Sequence, residues 1–409
     1  MCSSASSTPA VPLALYVHIP FCETKCPYCD FNTYARIEPL MPAYVAALRR
    51  EAEAWGAMLG RPAVRTVFFG GGTPSYLPPG DIAAILDTVR AAFAVERDAE
   101  VTLEANPGDF TPKKLASYLK AGVNRLSIGV QSLDDGLLSL LGRRHNAAQA
   151  VEAYRMARAA GLGNISLDLM FGLPRQSLAQ WEASLRGAAD LGPEHLSMYC
   201  LTLEAGTPME HQVKTGLLPE PDADVAADMY LAAEEVMGSL GYRHYEISNW
   251  AKPGRESRHN LTYWRNEPYL GIGPGAHSYL AGLRFANLKP PREYVTRIEA
   301  IATPLRAEHL DVSAVRSIPV VDSVEAIGPR LEMAETMMMG LRLDTGISLT
   351  GFQRRFGTTL AHAYGSEIAD LTADGLVEQG GGVLRITARG RLLGNRVFSR
   401  FFVDMAKAK

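Results

Sequence analysis

Three cysteines, Cys22, Cys26 and Cys29, fall within eight residues of the stretch "HIPFCETKCPYCDF" (18–31). The other two cysteines of the chain, Cys2 and Cys200, lie far from them and from each other. Thiolates this close together can wrap one metal ion or one iron-sulfur cluster. The spacing, Cys-x3-Cys-x2-Cys, differs from the two separated Cys/His pairs of structural zinc sites. It also differs from the four-cysteine runs of ferredoxins. Three thiolates on a four-iron cluster leave one iron without a protein ligand, and that iron can take a small molecule directly. On the residues alone two plainer readings stay open: loop cysteines gathered by chance, or a zinc site completed by His18.

Such thiols need a scaffold. From Leu13 to about Thr202, short β-branched or apolar runs alternate with longer helix-like stretches. The strand-like runs cover 13–19, 64–70, 99–105, 125–131, 164–172 and 195–202. Several of the helix-like stretches between them, such as "PKKLASYLKAG", end at Gly, as helix C-termini often do. This alternation predicts parallel βα units with right-handed crossovers. Six units fall short of the eight of a closed barrel. The predicted architecture is therefore α/β, an open and partial (β/α)6 barrel, with a doubly wound sheet as runner-up. In either, ligands gather at the C-terminal ends of the strands. The cysteines directly follow the first of them.

The expected boundaries are a flexible tail over 1–12, the barrel over 13–250, a linking segment over 251–329 and a small C-terminal domain over 330–409. The middle segment reads as irregular and rich in Gly, Pro and aromatics. It follows a long helix over 222–241 and a strand over 242–251. The last part reads as three helices and a Gly-turned hairpin, "LVEQGGGVLRIT", the outline of a winged-helix-like α+β domain. Its second helix carries only Arg354 and Arg355 as cations, and the chain's net charge is −3. Structural packing is expected there in preference to nucleic-acid binding. No apolar run reaches the roughly 18 residues of a membrane span. The N-terminal "MCSSASSTPAVP" lacks the charged start and apolar stretch of a signal peptide. With few cysteines and no disulfide framework, the expected compartment is the reducing cytoplasm. Cys200 lies in an apolar strand and reads as core, Cys2 has no evident partner, and Met337 to Met339 read as the packed side of a helix.

Further motifs follow the other strands: "GGGTP" (70–74), "EANP" (104–107), "GVQS" (129–132), "LGRRH" (141–145) and "LDLMFGLP" (167–174). With "YVHIPFC" (16–22) and the three cysteines, they resemble the signature of the radical S-adenosylmethionine (SAM) superfamily, across most of 13–250. The resemblance implies a 4Fe-4S cluster held by Cys22, Cys26 and Cys29, whose open iron chelates the amino and carboxylate groups of SAM. It implies that Gly71, Gly72 and Thr73 meet the amino-acid part of SAM. Glu104 would hold a ribose hydroxyl or a cationic group. Gln131, Arg143 and Asp168 would also contact SAM, and Tyr16 and Tyr28 would flank the cluster as aromatic contacts. Singly, each of these has an ordinary alternative, since polar residues often cap strands and a Gly-rich run can be a plain turn.

Within the superfamily the motifs resemble the coproporphyrinogen dehydrogenase-like branch. Two groups compete there: an oxygen-independent coproporphyrinogen III dehydrogenase of porphyrin biosynthesis, and a group of heme chaperones. The dehydrogenase carries a fourth cysteine two residues after the third, where this chain has Phe31. The dehydrogenase also has a longer N-terminal segment than the dozen residues seen here. "HNLTYW" (259–264) resembles a motif of the chaperones. The expected function is therefore heme binding and delivery to acceptor hemoproteins, with the dehydrogenase as alternative and enzymatic activity open. His259 and His277 are the candidate heme ligands, because imidazole is a common axial ligand. The implied partners are heme, acceptor hemoproteins and an electron donor. Family analogy also admits a homodimer and a peripheral membrane contact.

Overall fold

A computed structural model describes residues 11–301 and 309–405. Residues 1–10, most of the expected tail and including Cys2, lie outside them. Six parallel strands come first: β1 (Leu13–Ile19), β2 (Ala63–Gly71), β3 (Ala94–Ala105), β4 (Arg125–Gln131), β5 (Ile165–Phe171) and β6 (His195–Cys200). Each pairs in parallel with the next in the chain. The order never reverses. That excludes the doubly wound alternative, which requires a switch point where the strand order turns back, and leaves the open (β/α)6 barrel.

The covering helices form where the sequence gives apolar stripes and clear stops. Met41–Met58 buries Tyr44, Leu48, Ala52 and Trp55, at helical spacing, against the sheet. Pro112–Ala121 begins where the Thr111 side chain accepts from the amide of Lys114. It ends at Gly122, whose φ of 96° closes the helix in the left-handed region. Ala147–Ala159 and Leu178–Asp190 both start with reciprocal caps, Asn146 with Gln149 and Ser177 with Gln180. Among the described residues no helix is long and apolar enough to cross a membrane.

The sheet continues beyond the six strands. Arg243–Glu246 (β7) and Asn249–Ala251 (β8) add to β6 antiparallel. The sequence reads 242–251 as one strand, whereas the chain turns at Ile247 and Ser248, with the Ser248 amide donating 3.0 Å to the Glu246 carboxylate. The segment 251–329, expected to be irregular, supplies β9 (Tyr269–Ile272), β10 (His277–Leu280), β11 (Leu283–Asn287) and β12 (Val321–Ala326). β9 lies parallel to β1, on the side away from β2. The result is one twelve-stranded sheet in the order β12-β11-β10-β9-β1-β2-β3-β4-β5-β6-β8-β7. The strands of 269–326 are four to six residues long and lie among Gly- and Pro-rich turns, too short to stand out by period in sequence.

The C-terminal domain has the expected parts. Helices Pro329–Gly340, Leu349–Phe356 and Leu360–Ala373 pack on a small sheet of Ile347–Ser348 (β13), Val377–Gly380 (β14) and Val383–Ile386 (β15). Met337 is fully buried in this second core. The domain touches both edges of the open sheet. Arg284 of β11 makes two hydrogen bonds of 2.6 Å to Glu335. Glu246 of β7 forms a β-bridge with Leu343.

Candidate cofactor site

The cysteine loop leaves β1 at Ile19 and is tied back by a short parallel pairing of Phe21–Cys22 with Tyr34–Ala35. Inside it the Cys29 amide donates 3.2 Å to the Cys26 carbonyl, and Lys25 donates to the carbonyls of Phe31 and Thr33 at 3.1 and 3.3 Å. Cys22, Cys26 and Cys29 are free thiols, half-buried, and all three line one cavity of about 540 Å³. Burial pushes the Cys22 and Cys29 thiols up. Thr73 Oγ1 lies 3.5 Å from Cys22 Sγ and Arg143 Nη1 3.6 Å from Cys26 Sγ, both as donors. This donor set suits a soft, thiolate-bound iron-sulfur group, with a cation at hand to stabilise the ligated sulfur.

The glycines after β2 make room for that loop. Gly72 donates to the Ile19 carbonyl at 2.7 Å, so the two loops run side by side. A Cβ on Gly72 would stand 2.7 Å from the Phe21 carbonyl and 3.1 Å from Cys22 Sγ. Gly71 adopts a φ of 109° and packs so closely that a Cβ would meet the His18 ring at 2.4 Å. Only glycine fits either position.

His18 is not a fourth ligand. Its Nδ1 pairs with Tyr16 OH at 3.1 Å and its Nε2 with the Asn32 carbonyl at 3.0 Å. Burial lowers its pKa to about 4, so it stays neutral. That geometry removes the zinc alternative that depended on it. Tyr16 stands behind the cavity wall, bound to His18 and stacked near Phe68, and does not itself line the cavity.

The remaining expected SAM contacts converge. Tyr28, Gly71, Gly72, Thr73, Glu104, Gln131, Arg143 and Asp168 all line the same cavity. Glu104 Oε2 accepts from the Gly71 amide at 3.2 Å. Burial, reinforced by the charge of Asp168, raises the Glu104 pKa to about 8. Asp168 accepts from Ser127 Oγ at 2.9 and 3.1 Å and from Ser166 Oγ at 3.3 Å, and burial pushes its pKa up as well. Arg143 is fixed by a 2.7 Å bond from Nη2 to the Gly129 carbonyl.

The two histidines proposed for heme are placed differently. His259 is 1% exposed, with Nδ1 2.8 Å from Thr66 Oγ1 and Nε2 2.9 Å from Tyr263 OH. Its ring stacks on Phe68 at 5.0 Å. With both nitrogens occupied inside the barrel, His259 has no lone pair to offer a metal in this arrangement. In this arrangement His259 is a packed residue, and the axial-ligand role expected for it would require one of these two hydrogen bonds to break. His277, in contrast, is exposed at the start of β10, and its side chain enters no hydrogen bond among the described residues.

Against known proteins, residues 16–187 match the Radical SAM superfamily and residues 329–393 the HemN C-terminal domain. The chain is 38% identical over 391 residues to the heme chaperone HemW of Bacillus subtilis, covering 95% of this chain and 99% of that protein. The chain belongs to the HemW family of radical SAM proteins. It is also 40% identical to the mitochondrial radical S-adenosyl methionine domain-containing protein 1 of Bos taurus, over 89% of this chain and 81% of that one. Among solved structures, the coproporphyrinogen III oxidase HemN of Escherichia coli superposes with a TM-score of 0.81, over 97% of this chain and 91% of that chain, at 23% identity. That likeness describes the shared fold.

The family motifs do not include everything that faces the cavity. Phe68, Arg125, Ser127, Tyr199 and Cys200 also line it, as does Asn260 of the "HNLTYW" stretch, for which no cavity role was expected. Cys200, expected in the core, is exposed there. Along β4 the inward positions Arg125, Ser127, Gly129 and Gln131 alternate with buried Leu126, Ile128 and Val130. That period of two is legible in "RLSIGVQ" and was the available signal for Arg125 and Ser127.

Proposed function

We propose that this chain is a heme chaperone that delivers heme to acceptor hemoproteins and carries a SAM-binding 4Fe-4S cluster. The observation that carries the reading is the similarity, over nearly the whole chain, to proteins named for heme chaperoning. Phe31 at the position of the dehydrogenase's fourth cysteine supports it. In this reading Cys22, Cys26 and Cys29 hold the cluster, which when bound supplies a redox-active iron with one open position for SAM. Thr73 and Arg143 hold the thiolate sulfurs in place by donating to them. Gly71 and Gly72 let the SAM amino-acid part come close to backbone. Glu104, protonated at neutral pH, offers a donor to a ribose hydroxyl, and Gln131 and Asp168 close the pocket around the adenosine. Tyr28 forms one wall and Tyr16 supports it from behind.

Heme docks, in this reading, at the rim rather than inside the barrel. Phe31 is 64% exposed beside the cluster. The next residue, Asn32, donates 2.9 and 3.0 Å to the carbonyls of Pro274 and Lys289. His277 follows that turn, and its pKa is lowered first by burial and then by the nearby charges of Lys289 and Arg284. An unengaged imidazole, an aromatic face and an ammonium for a propionate thus share one rim, and His277 is the axial ligand we propose. The test mixes anaerobic protein with heme and then with an apo-hemoprotein. A Soret band followed by transfer is expected, weakened in His277→Ala and retained in a folded His259→Phe. Neither binding nor transfer, with SAM-dependent decarboxylation of coproporphyrinogen instead, would replace this reading with the dehydrogenase.

A further inference from the structure

The cavity reaches well past the residues that face the cluster. Arg125 opens β4 at the end of the barrel opposite the cysteines, and its side chain lines the cavity. It lies four residues below Gly129, about 13 Å deeper at the usual strand rise. Arg125 is 2% exposed. Its guanidinium enters none of the hydrogen bonds or ion pairs among the described residues, and its Nε is buried without a partner. Beside it in register is Thr102, whose Oγ1 is also buried and unpartnered. A buried guanidinium left without an acceptor is costly, and native structures retain such groups where something else meets them.

The neighbouring carboxylates do not fill that role. Asp168 is engaged by the Ser127 and Ser166 hydroxyls, and Glu104 by the Gly71 amide. Both feel the Arg125 charge, which favours their ionised forms, but neither makes a hydrogen bond or close ion pair with it. The histidines on this side, His195 and His259, are held neutral by burial. The floor thus keeps one cation with five unused donors, walled by Phe68 and Asn260 and, higher up, by Ala105 and Met170. A planar guanidinium fork matches a carboxylate in two parallel hydrogen bonds. With Asp168 already within range of the Arg125 charge, one further negative charge is tolerated better than the two of a dianion such as phosphate.

We propose that the barrel floor is a second binding subsite, in which Arg125 receives a carboxylate carried on a short aliphatic arm, on a molecule distinct from SAM. The subsite stands on the cavity geometry and does not depend on the heme reading. The probe is propionate, carboxyl-labelled with carbon-13, titrated by NMR and by calorimetry into the anaerobic full-length protein with its cluster reconstituted. Propionamide, its neutral isostere, serves as control. Saturable binding of propionate and none of propionamide is expected, unchanged when SAM is present at saturation. Arg125→Gln should weaken the affinity by about tenfold or more, with Arg125→Lys between the two. Asn260→Asp leaves Arg125 in place and adds a negative charge to the floor. It should abolish binding too, and keeps the question answerable if Arg125→Gln does not fold. Equal binding by propionamide, unchanged affinity in folded Arg125→Gln or in Asn260→Asp, no propionate binding, or displacement by SAM would each overturn the proposal.

Discussion

Thr66 and His259 meet at 2.8 Å inside the barrel, joining β2 to the short helix Arg258–Trp264. The amides of Arg258 and His259 both donate to Glu100 of β3, at 3.1 and 3.0 Å. The first half of "HNLTYW" is therefore a plug across the strand N-termini, and Asn260 contributes to the cavity floor. Replacing His259 by Ala removes its stacking on Phe68 and leaves the Thr66 hydroxyl unpaired. A loss of about 2–4 kcal/mol is expected in chemical denaturation.

Stability should depend on pH in both directions. His259 and His145 are held near pKa values of about 3 and about 4 by burial, against an ordinary 6.5. The unfolded chain therefore binds these protons first, and stability falls as pH drops below about 6.5. Glu104 and Glu246 are raised to about 8 and about 7, mainly by burial. The folded chain holds those protons while the unfolded chain has lost them, so stability also falls as pH rises towards 8. The raised carboxyls begin to cost stability above their unfolded pKa of about 4.5, so denaturation of the metal-free protein across pH 4–9 should give a maximum between about pH 5 and 6. In Glu104→Gln the decline above neutrality should become shallower.

Gly72→Ala should cost iron before it costs the fold. The added Cβ strikes the carbonyls of Phe21 and Ile19, the backbone that presents Cys22. Iron and sulfide per chain after reconstitution should fall severalfold, while far-ultraviolet circular dichroism changes little. Gly80→Ala, where a Cβ meets nothing within 4 Å, should leave both unchanged. Single Ser replacements of Cys22, Cys26 or Cys29 should abolish the cluster absorbance, and Cys200→Ser should retain it.

The Arg284–Glu335 pair anchors the C-terminal domain to one edge of the sheet. Glu335 is nearly buried and Arg284 about one-third exposed. Glu335→Ala should lower stability by about 1–3 kcal/mol, discounted from a fully buried pair because Arg284 regains water. The loss is expected in the thermal unfolding midpoint, with a smaller effect from Arg355→Ala, whose partner Glu332 is more exposed.

The βα alternation was legible because strand and helix periods differ, and each stretch carried its own stops in Gly, Pro and capping residues. The cysteine spacing, the Gly-rich run and the polar residue at each strand end were likewise local features, and the strand order brought most of them to one cavity. Other features depended on contacts between distant segments. The four short strands of 269–326 gain their hydrogen bonds only from β1 and from one another, so no sequence window shows them. His259 reads as a candidate ligand through the motif it sits in, yet in the fold it is packed, because Thr66, nearly two hundred positions away, takes its nitrogen. Cys200 reads as core because its strand is apolar, yet the strand ends where the cavity opens. Residue type and spacing determined what chemistry the chain could carry. Which side chains were left with an unsatisfied donor or a free lone pair was decided by packing, because a polar group's availability is set by the neighbours that reach it first.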